Sequence, residues 1–181
     1  MSESLRGQLL VASPSLLDPN FRRTVILVLE HDDEGTVGLV LNRPSETTVA
    51  DAIPPLTELV APADVVSVGG PVQPDAVSVL AEWDDPDAAA SIVFAEIGAI
   101  PAEAELEDVV AVTRRRRVFA GYAGWSPGQL EMELTEPSWI VAPAEPDDVF
   151  GSGDDLWSTV LRRKGGEYRL LATMPEDPSL N

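Results

Sequence analysis

Cysteine is absent from all 181 residues, which removes disulfides, thiol nucleophiles and cysteine-held metals from consideration. Histidine occurs once, as His31, and eleven of the twelve basic residues are arginine. With one histidine and no thiol, any catalysis would rest on carboxylates or hydroxyls. No apolar run approaches the length needed to cross a bilayer. Met1-Ser-Glu-Ser-Leu-Arg does not open a secretory signal either, because the apolar run Leu9 to Ala12 is too short for its hydrophobic region. The expectation is a cytoplasmic protein without membrane association. Basic charge is scarce: 12 Lys and Arg face 31 Asp and Glu, for a formal net charge of −19. At long range such a chain repels phosphate backbones, and it carries no helix-turn-helix or zinc-finger pattern, so direct nucleic-acid binding is disfavoured.

The residues that are present describe a globular chain. Hydrophobic residues make up 44% and charged residues 24%, and no internal repeat or polar linker divides the sequence, so residues 1–181 read as one domain. Gln8–Ala12 reads as a first strand. Val25-Ile-Leu-Val-Leu and Val37-Gly-Leu-Val-Leu read as a hairpin around the turn Asp32-Asp-Glu-Gly, the first of them apolar enough to be covered on both faces. Val65–Val68, Ala76–Leu80, Ile92–Ala95, Val118–Tyr122 and Trp139–Ala142 are further strands. Helical spacing joins Leu106, Val109, Val110 and Thr113, and again Leu156, Trp157, Val160 and Leu161, with Arg162, Arg163 and Lys164 in the last turn and Gly165 as the stop. Tyr168–Met174 fits a short strand or a helical turn equally. The pattern predicts a mixed sheet with flanking helices rather than a regular βαβ repeat.

Gly124-Trp125-Ser126-Pro127-Gly128 is a G-x-S-x-G string, the signature of a nucleophile elbow. The context argues against that chemistry. No histidine follows Ser126, and the next residue, Pro127, has no N–H to give to an oxyanion. The same letters predict a helix start instead: Ser126 as N-cap, Pro127 at the first helical position, Ser126 and Gln129 as a capping box, and Trp125 and Leu130 as a hydrophobic staple.

Three other segments could carry chemistry. His31-Asp32-Asp33-Glu34 reads as a solvated turn rather than a metal site, since four neighbours at a hairpin tip do not converge on one ion. Gly69-Gly70-Pro71 fits a tight turn or a backbone anion contact, and lacks the lysine of a P-loop. Asn42-Arg43-Pro44 ends a strand with an amide and a guanidinium that either bind a carboxylate ligand or cap local backbone groups. The run Arg114-Arg115-Arg116-Arg117 reads as a solvated segment paired with carboxylates, or as an anion or acidic-partner contact. In a strand its side chains would alternate between two faces.

Together these segments resemble the YqgE/AlgH family, also called UPF0301 or DUF179. The resemblance runs nearly end to end: Gly7-Gln-Leu-Leu-Val-Ala, Asp18-Pro-Asn-Phe-Arg-Arg-Thr-Val, Glu30-His-Asp, Gly38-Leu-Val-Leu-Asn-Arg-Pro, Gly69-Gly-Pro-Val, Phe119-Ala-Gly-Tyr-Ala-Gly-Trp, Pro127-Gly-Gln-Leu-Glu and Pro175-Glu-Asp-Pro-Ser-Leu-Asn. It implies an α+β fold whose mixed sheet is strongly bent into a pseudo-barrel. It brings a transcriptional-regulator label, but no catalytic residues, metal or cofactor. Two functions follow as alternatives: a non-catalytic binding or regulatory protein acting through a small anionic ligand or a protein partner, or an enzyme of carboxylate- or hydroxyl-based chemistry on a small anionic substrate. The expected binding groove joins Asn42, Arg43, Gly69, Gly70, Tyr122 and Trp125 at one end of the sheet, with an anion carrying an apolar or ring portion as ligand. The competing structural account occupies Trp125 as the staple and Arg43 in a carboxylate pair.

Overall fold

The computed structural model describes residues 3–151 and 154–176. The last residues of the terminal motif, 177–181, lie outside that range. The first half-sheet is built from β1 (Gln8–Ala12), β2 (Val25–Asp32) and β3 (Gly35–Val40), an antiparallel meander, with β10 (Trp139–Pro143) on the outer side of β1. The hairpin forms as its two apolar runs predict, but β2 continues through His31 to Asp32, so the turn narrows to Asp33 and Glu34. The second half holds β6 (Val72–Trp83), β7 (Ser91–Phe94) and β8 (Ile97–Ala99) in antiparallel order, with β4 (Pro44–Thr48) paired to β5 (Val65–Val68). One long strand, β9 (Thr113–Trp125), joins the halves. Along one edge it pairs with β6, and along the other first with β5 and then with β3.

The β5–β9 pairing is parallel and every other pair is antiparallel. The sheet is therefore mixed through a single pair. The pseudo-barrel expected from the resemblance is not formed: the sheet is neither closed nor strongly curled, and its path ends at β10 on one side and β7 on the other. Closure would require those edges to exchange backbone hydrogen bonds, and cations cover them instead. Lys164 Nζ donates to Val141 O at 2.7 Å and Arg163 Nη2 to Pro143 O at 3.3 Å, while Arg6 Nη2 donates to Ile92 O at 2.8 Å. Charged side chains on an edge block further strand addition.

The continuous apolar character of β1 and β2 follows from cover on both faces. Leu9, Val11, Val25 and Leu27 pack with Leu156, Trp157, Val160 and Leu161 of helix α5 (Leu156–Lys164), whereas Leu10, Ala12, Ile26 and Val28 pack with Trp125, Trp139 and Leu130 of helix α3 (Gln129–Thr135). A third core lies under the second half-sheet, where α1 (Val49–Ala52), the 3₁₀ turn Pro54–Leu59 and α2 (Leu106–Ala111) cover Val66, Val79, Trp83 and Val118. Trp83 is 1% exposed and donates Nε1–H to Gly98 O at 3.1 Å, so its polar edge is satisfied inside that core. Helix α4 (Pro146–Phe150) flanks β9, and the ambiguous stretch near the C-terminus resolves as the helical turn α6 (Tyr168–Leu171).

Gly121 is where β9 passes from one core arrangement to the next. Its φ of +75° breaks the two-residue alternation, so Phe119 and Tyr122 face the α5 core while Ala123 and Trp125 face the α3 core. Gly69 and Gly70 press against the same point. A Cβ on Gly69 would meet Gly121 O at 2.3 Å, and one on Gly70 would meet the Tyr122 carbonyl carbon at 2.1 Å.

Candidate functional site

Phe119 and Ala120 of β9 have a strand on each side, β5 and β6, but residues 114–118 have β6 on one side only. A cavity of about 520 Å³ opens beside that unpaired edge. Its walls come from Arg114–Val118, the start of β5, the loop after the 3₁₀ turn, Pro44, and Phe150 with Gly151 after α4. Half-buried Val65 and Phe150 give the walls apolar surface, with Val49 and Leu59 buried behind it, and Arg116 and Arg117 give them cations.

Alternation along β9 sorts the four arginines. Arg115 stands opposite Glu82 on β6 and makes a bidentate pair with it, at 3.1 Å from Nε and 2.9 Å from Nη2. It also pairs with Asp147 at 2.7 Å and lies over the Phe150 ring. The Arg115 guanidinium holds the Glu82 carboxyl below the usual carboxylate range. Arg114 pairs with Glu96, Asp84 and Glu82 at the surface. These two arginines are neutralised where they stand.

Arg116 and Arg117 are different. Arg116 donates Nε–H to Leu59 O at 2.6 Å and Nη1–H to Thr113 Oγ1 at 2.7 Å. Arg117 donates to Ser67 Oγ at 2.9 Å and to Val149 O and Leu41 O at 2.6 Å each. Every one of those acceptors is neutral, and among the described residues neither arginine forms an ion pair. Burial pushes the Arg117 guanidinium down to about 10, with no carboxylate to offset it. Arg117 thus braces the ends of β3, β5 and α4 while leaving net positive charge in the cavity wall. Among the described residues the one carboxylate lining the cavity is Asp64, and its Oδ2 accepts from Ala61 N at 2.9 Å.

The AlgH-like family, DUF179, matches residues 9–169. The chain belongs to that family. It is 45% identical to a UPF0301 protein of Streptomyces coelicolor, an alignment covering 98% of this chain and 96% of the relative, and 43% identical to a UPF0301 protein of Mycobacterium tuberculosis, covering 97% and 90%. Among solved structures, a Corynebacterium diphtheriae protein superimposes with a TM-score of 0.88 at 31% identity, over 96% of this chain and 94% of that one. The solution structure of the AlgH protein of Pseudomonas aeruginosa gives 0.73 at 30% identity, over 97% and 98%.

In this AlgH-like chain the residues expected to form a groove divide into three groups. Gly69, Gly70 and Tyr122 meet where β5 ends against β9, with Gly69 N donating to Ala120 O and Val40 N to Gly69 O, both at 2.8 Å, and the glycines are buried there by backbone contact. Asn42 and Arg43 adjoin that point through the backbone, since Val68 N donates to Arg43 O at 2.8 Å, but their side chains turn towards residues 22–25. Asn42 accepts from Val25 N at 2.9 Å and donates to Arg23 O at 2.8 Å; the Arg43 guanidinium donates to Arg22 O and Asn42 O. Arg43 is therefore tied to backbone carbonyls rather than to a carboxylate, and burial lowers its pKa. Trp125 is apart, on the opposite face from Tyr122. It is 6% exposed, packed at 5.9 Å from the Trp139 ring and 6.4 Å from the Phe21 ring, with Nε1 3.3 Å from Glu133 Oε1.

The G-x-S-x-G segment is a turn before α3, and its cap differs from the one expected. The helix begins at Gln129, its N-cap is Gly128 at φ +76°, and Ser126 lies outside it. Half of the capping box forms: Gln129 Oε1 accepts from Ser126 N at 3.0 Å. The other half is reversed, because Ser126 Oγ lies 3.0 Å from that same oxygen instead of accepting from the helix. Pro127 and Gly128 form the turn that displaces the start. His31 is not at a hairpin tip but buried in β2, where Nδ1 accepts from Leu5 N at 2.9 Å and Nε2 lies 2.6 Å from Glu131 Oε1. Both ring nitrogens are thereby engaged with Leu5 and Glu131.

For Arg116 and Arg117 the sequence left two readings, a solvated segment paired with carboxylates or an anion or acidic-partner contact, and the carboxylate pairing is not what they form among the described residues. A signal for their placement exists in the letters. Val118–Tyr122 reads as a strand, and extending it backwards through the arginines puts cations on a strand leading into a buried valine and phenylalanine.

Proposed function

We propose that this AlgH-like protein is a non-catalytic binding protein whose cavity beside β9 takes a small anionic ligand, a carboxylate with an apolar body. The observation that carries this reading is Arg117: a guanidinium held by three neutral acceptors in a cavity wall, without an ion pair, in a chain with 31 acidic residues. With carboxylates so abundant, leaving Arg116 and Arg117 unpaired keeps their charge available to something that enters. Val65 and Phe150, backed by Val49 and Leu59, suit an apolar portion of that ligand.

The same geometry supports a binding role over an enzymatic one. Asp64, the cavity's carboxylate, is occupied with the Ala61 backbone, and Ser126 and His31 are each engaged elsewhere. Direct nucleic-acid binding is disfavoured by the net charge of −19, and the arginine run does not form one basic surface, because Arg114 and Arg115 are ion-paired and Arg116 and Arg117 reach inward. A cytoplasmic regulator acting through a ligand or a protein partner fits these features; among the described residues no helix is long and apolar enough to cross a membrane.

The test is a thermal-shift screen of anions with matched apolar bodies, such as hexanoate and benzoate, against hexanol and benzyl alcohol. The expected outcome is stabilisation by the carboxylates alone, since a ligand that binds only the folded state raises its stability by mass action. Equal shifts from the alcohols, or stabilisation that survives in Arg116→Gln together with Arg117→Lys, would remove the basis of the assignment.

A further inference from the structure

A second cluster of cations stands on the other side of the β3–β4 junction. Pro44 lines the cavity beside β9, while Arg43 lines a separate open depression of about 450 Å³ together with Pro19, Arg22, Arg23 and Glu176. Three arginines from two sequence-distant segments line it in a strongly acidic molecule. Two are fixed by groups that do not neutralise them. Arg43 donates to the carbonyls of Arg22 and Asn42, and Arg23 donates to Met174 O at 2.9 Å with its guanidinium 4.0 Å above the Trp157 ring. The Arg22 side chain has no hydrogen bond or ion pair among the described residues. The carboxylate of the depression, Glu176, makes no ion pair with any of the three among the described residues, although its charge opposes the lowering of the Arg43 pKa that burial causes.

We propose that this depression is an anion site distinct from the cavity beside β9, and that it takes the phosphoryl group of a small solute. Three arginines around one depression carry more charge than a single carboxylate neutralises, whereas a phosphoryl group offers up to two negative charges and three or more acceptor oxygens to planar forks. Carbonyl and ring contacts hold Arg43 and Arg23 in place before a ligand arrives, so little order is lost on binding. Arg22 supplies the free donor. Glu176 at the rim opposes the anion and weakens its affinity.

The experiment is a backbone amide NMR titration of the full chain with inorganic phosphate, then with phenyl phosphate and with acetate, each at ionic strength matched with sodium chloride. Saturable shifts are expected over residues 18–24 and 42–44 with both phosphates and not with acetate. Arg22→Gln should weaken phosphate binding about tenfold, the loss expected of one charge-assisted hydrogen bond, with no change in unfolding midpoint because its side chain holds nothing. Glu176→Gln should strengthen binding, and Arg116→Gln in the other cavity should leave it unchanged. Absence of saturable shifts at tens of millimolar phosphate, acetate binding as well as phosphate, or affinity indifferent to Arg22→Gln and Glu176→Gln would each overturn the assignment.

Discussion

Replacing Gly70 by alanine tests whether the glycine pair is a ligand contact or a place where two backbones must touch. The added Cβ would lie 2.1 Å from the Tyr122 carbonyl carbon, 2.2 Å from its oxygen and 2.4 Å from Ala123 N. All three are backbone atoms of β9, which is held by β6 on one edge and by β5 and β3 on the other. Relief therefore means moving a central strand by more than an ångström, at about 1–3 kcal/mol for overpacking. The φ of +155° at Gly70 adds about 1–3 kcal/mol of backbone strain for a residue with a side chain. A total of about 2–6 kcal/mol is expected, which is a large share of a typical domain's stability. In a chain of this size it lowers Tm by roughly 10 °C. The assay is urea unfolding with a paired control, Gly128→Ala, where φ is +76° but nothing lies within 4 Å of the new Cβ. The control should lose only about 1 kcal/mol, for the left-handed backbone alone. Equal losses at the two positions would refute the close-approach reasoning, and a Gly70→Ala protein of unchanged stability that had lost anion binding would return the glycines to the binding site.

Three further outcomes follow from the side chains around the core. Ser126→Ala should cost no more than about 0.5 kcal/mol in denaturant unfolding, because its hydroxyl is exposed and Gln129 keeps the N–H of residue 126, whereas Gln129→Ala should cost about 1 kcal/mol for the lost cap interaction; an active-site-directed phosphonate should leave Ser126 of the wild type unlabelled. Arg163→Ala should cost about 3 kcal/mol, since it strips the bidentate partner at 3.0 and 2.7 Å from the buried Asp148 carboxylate, and a loss below 1 kcal/mol would show that the pair contributes little. The bond to His31 lowers the Glu131 pKa, so its contribution to stability is fully present above the ordinary carboxylate range and fades as pH falls through the lower folded value. The stability gap between wild type and Glu131→Gln should accordingly narrow on acidification, and a gap that widened would contradict the pairing.

Several strands were legible because continuous apolar and β-branched runs leave a direct mark. Gln8–Ala12 and Val65–Val68 form with the boundaries their letters suggest, and Val25 begins its strand as expected. What escaped were the short elements whose letters are ordinary, such as Pro44–Thr48, Ile97–Ala99 and Pro146–Phe150, which form because neighbours supply the hydrogen bonds and cover. The N-terminal extension of β9 escaped for another reason. Arginines disfavour a buried reading, yet Glu82 on β6 and the carbonyls of Leu41, Leu59 and Val149 satisfy them. Those acceptors come from distant parts of the chain and leave no local trace. The groove expected from motif residues failed to join Trp125 to Tyr122 because the reversal of alternation at Gly121 sends them to opposite faces, and a glycine's φ is not written in its letter. Open edges capped by Lys164, Arg163 and Arg6 replaced the expected barrel closure for the same reason: the capping partners are remote in sequence.

The central claim, an anion held at Arg117 beside an apolar wall, is tested most directly by observing the Arg117 Nε resonance during titration with benzoate. That N–H is donated to Ser67 Oγ at 2.9 Å in the free protein, and Phe150 lines the same cavity. Binding there predicts a saturable shift of the Arg117 Nε signal together with the Phe150 ring protons, at one common midpoint, while the Arg43 Nε signal stays still. A saturable benzoate site that leaves Arg117 and Phe150 unmoved, or no saturation at all, would contradict the account.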